Sequence, residues 1–442
     1  MTERAVSVAI VGMGCLFPGA PDLDTYFVNL REGKDAITEV SPSRIDPVFF
    51  DRNVRSVDRF YCRRGGFVDA FARFDATRFG VMPVAARGAE PDQLLALEIA
   101  SRALADAGYQ DRPFARDRAA VILGRGGYAG AGRARLEQHV RSAEQIVTTL
   151  RALLPDLDEA ALARVKSEFQ SQLGAAGADA AIGLVPNLAA SRIAHRLDLH
   201  GPAFTVDAAC ASALVAVEQG CTELASGRCE LVIAGGVHLC QDEAFWSVFC
   251  QLGALSPSET IRPFDRRADG LLIGEGIGMV VLKRLEDAER DGDRIYAVVR
   301  GSGISSDGRG ATLMSPSVEG QVLALERAWG QAGLDPKSIG LLEAHGTGTP
   351  AGDAAELTTL ARVFGASHES GARAEGDARA VLGSVKSMIG HAMPAAGAAG
   401  LIKAALAVYH GVLLPTLHCD EPNPLLDATR FRVTSRAEPW ES

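Results

Sequence analysis

Short β-type runs alternate with helical segments along this chain, and the second part repeats the order of the first. In the second part the pattern predicts strands at 295–300, 339–344 and 380–384, with helices at 319–332, 354–363 and 396–409. Such alternation is typical of mainly parallel sheets covered by helices on both faces. The sequence therefore predicts an α/β fold with two similar halves, at 1–290 and 291–442, joined by the charged stretch 283–294.

The composition is that of an ordinary globular protein. With 442 residues and 47% hydrophobic content, the chain can bury a core larger than one typical domain. The 55 acidic and 45 basic residues leave a net charge of −10 and no basic stripe, so nucleic acid is not an expected partner. Because no apolar run approaches ~20 residues, we expect no membrane span and a cytoplasmic location.

The cysteines do not form a pattern typical of disulfides or zinc ligands. They lie at Cys15, Cys62, Cys210, Cys221, Cys229, Cys240, Cys250 and Cys419. There is no Cys-x-x-Cys pair, and a chain of this length does not need disulfides to fold. The sequence therefore predicts a reducing environment and no metal site.

One cysteine follows a short β run and opens a helix. The run 204–206 leads through a tight turn into a helix whose predicted buried stripe consists of Leu214, Val217, Cys221 and Leu224. This places the Cys210 thiol on the first helical turn, where free backbone N–H groups and the helix dipole favour the nucleophilic thiolate. An inert core cysteine is the alternative, and the spacing alone leaves both interpretations open.

A glycine-rich turn at 124–129 matches the Gly-x-Gly-x-x-Ala pattern of dinucleotide-binding folds. Such a fold would need a second strand soon afterwards, but the next residues predict a pair of helices broken by Pro155. We therefore interpret the region near 133–174 as a helical insertion. Nucleotide binding stays open as the weaker alternative to a simple glycine turn.

Two further stretches place a histidine after a predicted strand. Strand 339–344 leads to His345 on a loop that contains Gly346 and Gly348, and strand 380–384 leads to His391 in front of a Gly- and Ala-rich helix. The carboxyl ends of strands are where ligands bind in α/β sheets, so both side chains are candidates for a site. Each histidine taken singly is also compatible with a structural role.

Two charged residues near these histidines have structural explanations of their own. Glu356 lies three residues after Asp353, the spacing of a capping box in which the glutamate reaches back to the helix start. Lys386 can serve as the partner of a buried carboxylate.

Taken together, three motifs resemble the signatures of the β-ketoacyl synthases, the condensing enzymes of the thiolase fold. They are Asp-Ala-Ala-Cys-Ala-Ser at 207–212, Glu-Ala-His-Gly-Thr-Gly-Thr at 343–349 and Gly-Ser-Val-Lys-Ser-Met-Ile-Gly-His at 383–391. Further similarity at 8–19, 262–265 and 274–276 extends the match from about residue 5 to about residue 440. The resemblance implies a five-layer αβαβα fold made of two similar halves.

The resemblance also implies a reaction. Cys210 would accept an acyl chain from a carrier-protein thioester, while His345 and His391 would bind the malonyl thioester and stabilise the enolate formed on decarboxylation. The enolate carbon would then attack the acyl group on Cys210. A degradative thiolase is disfavoured by the two histidines together with Lys386.

The remaining roles follow from the same motifs. Lys386 would orient the second histidine, with Glu356 as its partner, and Thr347 and Thr349 would hydrogen-bond the pantetheine arm of the substrate. No tightly bound cofactor is expected, because the substrates travel on the phosphopantetheine of an acyl carrier protein.

The resemblance implies partners as well. An acyl carrier protein, a second copy of the chain in a homodimer and further synthase domains such as an acyltransferase and a ketoreductase are expected. In the Cys210 helix, Ala213, Ala216 and Gly220 form a small-residue face suited to close packing against another element.

Three variants of the family motifs resemble one subgroup of the family. Asp-Ala-Ala-Cys, Ser-Met-Ile-Gly-His and His-Ala-Met-Pro-Ala-Ala-Gly resemble the iterative synthases of enediyne polyenes and polyunsaturated fatty acids.

The family pattern continues into two last strands with a Gly-Phe-Gly-Gly turn that these 442 residues lack. We therefore expect that the second half lacks its last strands and that the site has one oxyanion donor fewer. A non-catalytic module for dimerisation or carrier docking is therefore the alternative function.

Overall fold

A computed structural model describes residues 6–53, 56–127, 130–174, 183–239, 242–310, 312, 314–365 and 380–440. The strands in this part of the chain are β1 (Val8–Leu16), β2 (Thr38–Glu39), β3 (Arg64–Gly65), β4 (Ala119–Arg125), β5 (Ala203–Val206), β6 (Leu231–His238), β7 (Gly276–Arg284), β8 (Ala297–Val299), β9 (Leu341–Glu343), β10 (Ala380–Gly383), β11 (Val412–Leu413), β12 (Phe431–Arg432) and β13 (Glu438–Pro439).

The α-helices are α1 (Leu23–Glu32), α2 (Pro83–Gly88), α3 (Pro91–Asp106), α4 (Ala131–Glu137), α5 (Ala143–Leu153), α6 (Glu159–Gln172), α7 (Leu188–Leu197), α8 (Ser212–Ala225), α9 (Glu243–Gln251), α10 (Leu285–Arg290), α11 (Val318–Ala332), α12 (Pro350–Phe364), α13 (Lys386–Ile389) and α14 (Ala396–His410). Helices α4 to α6 occupy the predicted insertion. Among the described residues, every helix is too short or too polar to span a bilayer.

The first sheet has six strands in the order β5-β4-β6-β7-β1-β8. Strand β4 runs parallel to β5 and β6, whereas β7 is antiparallel to both of its neighbours and β8 is antiparallel to β1. The expectation of mainly parallel pairing therefore holds for one part of this sheet only. Strand β8 belongs to the second half in sequence, yet it completes the sheet of the first half.

The second sheet contains β12, β10 and β9 among the described residues, and both pairings are parallel. Strands β9 and β10 are the two that lead to the candidate histidines. Their carboxyl ends therefore lie side by side, which brings the two histidine loops to one edge of the sheet.

Helices and sheets alternate in five layers. Helices α3 and α7 cover the outer face of the first sheet, α8 and α14 fill the space between the sheets, and α11 and α12 cover the second sheet. The layer between the sheets is packed with residues from both halves, including Val217 of α8 and Ile402 of α14. Burial of this shared apolar layer joins the halves into one body.

Helix α8 lies unusually close to β4, and a glycine makes this possible. A Cβ atom on Gly124 would come within 2.5 Å of the backbone nitrogen of Ala213. The N–H group of Gly127 also donates to the Asp207 carboxylate at 2.8 Å, so the glycine turn contacts the segment that precedes Cys210. Residues 128 and 129 of the proposed nucleotide pattern lie outside the described residues.

The predicted buried stripe of the Cys210 helix is only partly correct. Val217 and Leu224 are buried, but Leu214 is 50% exposed and Cys221 is half-buried. The small-residue face at Ala213, Ala216 and Gly220 is the face that packs against the sheet of its own chain. Because the helix turns this face inward, Leu214 points away from the sheet.

Candidate active site

The turn that carries Cys210 is held in a strained conformation. Ala209 has a φ of 50°, in the left-handed region that non-glycine residues rarely adopt. The Ser212 hydroxyl stabilises the turn, because it accepts the Ala208 N–H at 2.8 Å and donates to the Ala209 carbonyl at 2.6 Å. Cys210 therefore lies in a single 3-10 turn directly before α8, rather than in the first turn of the α-helix as predicted.

The Cys210 thiol does not have the lowered pKa that the sequence predicts. Burial raises the pKa of Cys210 above its ordinary value, and the positive charge of Lys386 opposes this shift only in part. The desolvation of a largely enclosed sulfur outweighs the helix-end effect that motivated the prediction. The resting residue is therefore a thiol at neutral pH, and its proton must move when it reacts.

The structure brings Cys210, His345 and His391 together. One side-chain atom from each residue, the sulfur and one nitrogen of each ring, lies within 4.8 Å of the others. The two imidazole centroids are 5.3 Å apart, and the rings meet edge to face at 85°. The cysteine comes from the first half and the histidines from the second, so the cluster forms only when the two halves pack together.

The buried ring of His391 has a defined tautomer. Its Nδ1 accepts the backbone N–H of Met393 at 3.0 Å, so the proton of the neutral ring must be on Nε2. Burial lowers the pKa of His391 far below its ordinary value, and Lys386 and His345 lower it further, so the ring is neutral. The Nε2 atom is buried without a hydrogen-bond partner among the described residues. His391 therefore presents a free N–H donor.

A cysteine beside two histidines is also a set of zinc ligands. A metal ligand must offer a lone pair, however, and Nε2 of His391 carries the proton because Nδ1 is occupied by the Met393 N–H. The arrangement suits hydrogen-bond donation to a substrate oxygen better than coordination of an ion.

His345 is held mainly through its backbone. Its N–H donates to Glu356 Oε1 at 2.7 Å, and its carbonyl accepts the Lys386 ammonium at 2.5 Å. The imidazole is exposed to a cavity on one side and enclosed by protein on the others. This desolvation lowers the pKa of His345, and the positive charge of Lys386 lowers it further, so this ring is also neutral.

Glu356 does not form the predicted capping box. Helix α12 begins after Thr349 without a side-chain cap, and the Glu356 carboxylate instead accepts the N–H groups of His345 at 2.7 Å and Gly346 at 2.8 Å. No hydrogen bond or ion pair joins Glu356 to Lys386 within the described ranges, although its charge acts on Lys386 at longer range. Glu356 thus fixes the loop of His345 directly.

The two threonines lie on the same loop as His345. Their Oγ1 atoms are 2.9 Å apart and share a hydrogen bond, with Thr347 buried and Thr349 half-buried. Asp353 ties this loop to another segment, because it accepts the N–H groups of Gly348 at 3.1 Å and Phe264 at 2.7 Å. The loop is therefore well ordered next to the reactive cluster.

Cys210 and His345 open into a cavity of about 790 Å³. It extends between α8, α11 and α14 toward Trp329 and Phe364, and its walls are mostly apolar. Leu214, which the sequence placed in the core, is part of this wall.

Two domain models of one family match the chain. The model of the β-ketoacyl synthase N-terminal domain matches residues 5–288, and that of the C-terminal domain matches residues 296–420. The chain belongs to the β-ketoacyl synthase family. Ketosynthases of this kind are condensing enzymes of the acyltransferase class found in polyketide and fatty acid synthases.

Curated relatives of this ketosynthase are much longer proteins. Polyketide synthase PksN of Bacillus subtilis (strain 168) is 34% identical over 440 residues, which are 98% of this chain and 7% of the relative. One subunit of the polyunsaturated fatty acid synthase of Thraustochytrium sp. is 33% identical over 438 residues, 98% of this chain and 15% of the relative. The ketosynthase chain thus spans a small part of the length of these relatives.

Solved structures show the same fold. The oxazolomycin ketosynthase domain of Streptomyces albus JA3453 superposes with a TM-score of 0.81 at 33% identity, covering 98% of this chain and 68% of that domain's chain. The PfaC keto synthase-chain length factor superposes with a TM-score of 0.85 at 32% identity, covering 98% and 45% of the two chains. The thiolase-like five-layer fold is therefore confirmed.

Sequence reasoning missed one charged pair beneath the ketosynthase site. Glu343, at the end of β9, lies 2.6 Å from the ammonium of Lys403 on α14. A signal was present, because Lys403 is the only charged residue in the otherwise apolar helix between 396 and 409. A charge in such a place needs a buried partner.

Proposed function

We propose that this ketosynthase catalyses the decarboxylative Claisen condensation of a malonyl thioester with an acyl chain held on Cys210. The observation that carries the proposal is the unpartnered Nε2–H of His391, among the described residues, beside the Cys210 sulfur and the His345 ring. A nucleophile beside a fixed hydrogen-bond donor is what acyl transfer through an oxyanion requires.

In the first half-reaction the Cys210 sulfur attacks the carbonyl of an acyl thioester, and the carrier thiolate leaves. The thiol proton of Cys210 passes to the departing sulfur, so that one thioester replaces another and no other reactant is needed. Because the resting residue is a thiol, a neutral imidazole nearby assists this transfer, and the ring of His345 is open to the cavity.

In the second half-reaction a malonyl thioester loses carbon dioxide, and the electron pair of the broken C–C bond forms an enolate. The Nε2–H of His391 donates to the enolate oxygen, as does the ring of His345. The enolate carbon then attacks the acyl carbonyl on Cys210 and displaces the cysteine thiolate, which takes up a proton. A preorganised donor of this kind contributes about 3 kcal/mol to the lowering of the barrier.

Carrier-bound substrates fit this site. Thr347 and Thr349 lie on the loop next to His345 and offer hydroxyls to the amides of a phosphopantetheine arm. We propose an acyl carrier protein as the donor, no tightly bound cofactor, and assembly as a homodimer among further synthase domains.

We propose that the chain belongs to the iterative synthases of enediyne polyenes or polyunsaturated fatty acids. Support comes from its similarity to one component of a polyunsaturated fatty acid synthase and from the TM-score of 0.85 with the PfaC keto synthase-chain length factor. The motif variants at 207–212 and 383–391 resemble both this class and the enediyne synthases.

Acylation of Cys210 tests the proposed function. The full chain is incubated with an acyl N-acetylcysteamine thioester, and intact and peptide masses are measured. We expect one acyl group on the peptide that contains Cys210 and none in Cys210→Ala. Cys221→Ala is a matched control, because Cys221 is also half-buried and lies on the adjoining helix α8. Absence of the adduct from the folded wild-type protein would exclude the condensing function and favour a docking module.

A further inference from the structure

Beneath the histidine loops lies the buried pair formed by Glu343 and Lys403. We propose that this pair positions Lys386, and through it the backbone of His345, so that the pair supports decarboxylation without touching the substrate. This inference rests on the proposed function, since it concerns the same reaction. Glu343 and Lys403 are therefore proposed as positioning residues.

Glu343 connects both histidine-bearing segments. It is the last residue of β9, two residues before His345, and its Oε1 accepts the backbone N–H of Val385 at 2.6 Å. Val385 is the N-cap residue of the short helix α13, which begins with Lys386. One carboxylate thus fixes the start of the helix from which Lys386 reaches back to the His345 carbonyl.

The Lys403 ammonium contacts the second oxygen of the Glu343 carboxylate. Its side chain is 1% exposed, and its Nζ lies 2.6 Å from Glu343 Oε2. Among the described residues, the Lys403 ammonium makes one ion pair, with Glu343, and no contact with the geometry of a hydrogen bond. Leaving an ammonium so deeply buried without a carboxylate beside it carries a large desolvation cost.

Two glycines provide the space for this pair. A Cβ atom on Gly400 would lie 3.0 Å from Glu343 Cγ, and one on Gly383 would lie 3.1 Å from Lys403 Nζ. A side chain at either position would force the pair to shift by a few tenths of an ångström. The glycines on β10 and α14 therefore leave room for one carboxylate and one ammonium.

The pair also influences the charge on Lys386. The titratable groups that face Lys386 are Glu343, Glu356, Asp353, Lys403, Cys210, His345 and His391. Burial lowers the pKa of Lys386, Glu343 gives the largest opposing effect, and Lys403 lowers the pKa again. Glu343 and Lys403 therefore shift the pKa of Lys386 in opposite directions. An ion pair with a purely structural role would leave the pH profile of the reaction unchanged, so the profile distinguishes the two roles.

The test compares Glu343→Gln, Lys403→Met, Lys403→Arg and the double variant E343Q/K403M in the full chain. Carbon dioxide release from malonyl-N-acetylcysteamine is measured against pH, and Cys210 acylation is measured in parallel. Lys337→Met is the matched control, because Lys337 is exposed. Thermal unfolding identifies variants that fail to fold.

We expect Glu343→Gln and Lys403→Met to slow decarboxylation by up to about a hundredfold while acylation persists. The basic limb of the pH profile should move to lower pH in Glu343→Gln and to higher pH in Lys403→Met. Lys403→Arg should restore much of the rate. The double variant should regain stability, since no unpaired charge remains, but not the wild-type rate. Wild-type rates and an unshifted limb in both single variants would overturn the inference.

A readout without turnover separates this inference from the proposed function. If wild-type protein releases no carbon dioxide, the proposed function fails, but alkylation of Cys210 by iodoacetamide still reports the charge on Lys386. Because Lys386 lowers the pKa of Cys210, Glu343→Gln should move the alkylation midpoint to higher pH. An unchanged midpoint in the folded variant would refute the positioning role.

Discussion

The two histidines of the cluster are held in opposite ways. His391 is 1% exposed, and its ring is fixed by the Met393 N–H on Nδ1. His345 has an exposed ring with no described hydrogen bond, whereas its backbone is fixed on both sides by Glu356 and Lys386. The imidazole of His391 is immobilised directly, whereas in His345 only the backbone is immobilised.

This difference indicates that the two imidazole rings have different roles. The fixed ring of His391 offers its N–H in one direction before any substrate arrives, which is the condition for a preorganised oxyanion donor. The ring of His345 can adopt more than one rotamer above a rigid loop. It can therefore serve the carrier thiol in acylation and the malonyl oxygen in decarboxylation.

The largest predicted effect distinguishes the two donors. His391→Ala should lower malonyl decarboxylation by about 10²- to 10³-fold, because a preorganised donor is lost, and His345→Ala should lower it less. Release of carbon dioxide measures both rates. His200→Ala is the control, since this histidine is exposed and its side chain pairs only with Asp198 among the described residues. Equal losses of the decarboxylation rate, or a larger loss in His345→Ala, would contradict these different roles.

A smaller effect is expected from the support of His345. Glu356→Gln keeps one acceptor oxygen but turns an NH2 group toward a backbone N–H, so the loop should loosen and decarboxylation should fall about tenfold. The change should add nothing to His345→Ala, whereas it should multiply the loss in His391→Ala. The exposed Glu326→Gln on α11 serves as control. Equal additivity in both backgrounds would show that Glu356 does not act through His345.

The smallest effect concerns stability and pH. The pKa of His391 is lowered in the folded protein, while the pKa of an unfolded histidine is about 6.5. Below that pH the unfolded chain binds a proton that the native ring does not, so His391 makes the protein less stable as pH falls, by at most about 1.4 kcal/mol per pH unit.

Urea unfolding between about pH 7 and about pH 5 measures this contribution. His391→Gln should reduce the pH dependence of the unfolding free energy, and His345→Gln should reduce it by a similar amount, because the pKa of His345 is lowered to about 3, below the same pH range. An unchanged slope in His391→Gln would mean that the native ring takes up a proton as readily as the unfolded one.

Much of the fold follows from local patterns. Strands β9 and β10 and helices α11, α12 and α14 lie where the periodicity predicts them, because each is a short apolar run or an amphipathic segment with clear ends. The pairing of β8 with β1 was not predictable, since it depends on contact between segments about 290 residues apart.

The residues of the cluster were found through motifs, but their environment was not. The exposure of Leu214 depends on which face of α8 meets the sheet, and the raised pKa of Cys210 depends on burial by distant segments. The contacts of Glu356 and the pair of Glu343 with Lys403 likewise join residues from different elements. Such properties arise from tertiary packing, which local spacing does not report.

The most direct test measures acylation and decarboxylation on the same preparations of Cys210→Ala and His391→Ala. We expect Cys210→Ala to lose the acyl adduct and to keep releasing carbon dioxide. His391→Ala should keep the adduct and lose carbon dioxide release by about 10²-fold or more. If folded His391→Ala loses acylation as well, or keeps its decarboxylation rate, then His391 is not the fixed donor to the enolate and the proposed mechanism is wrong.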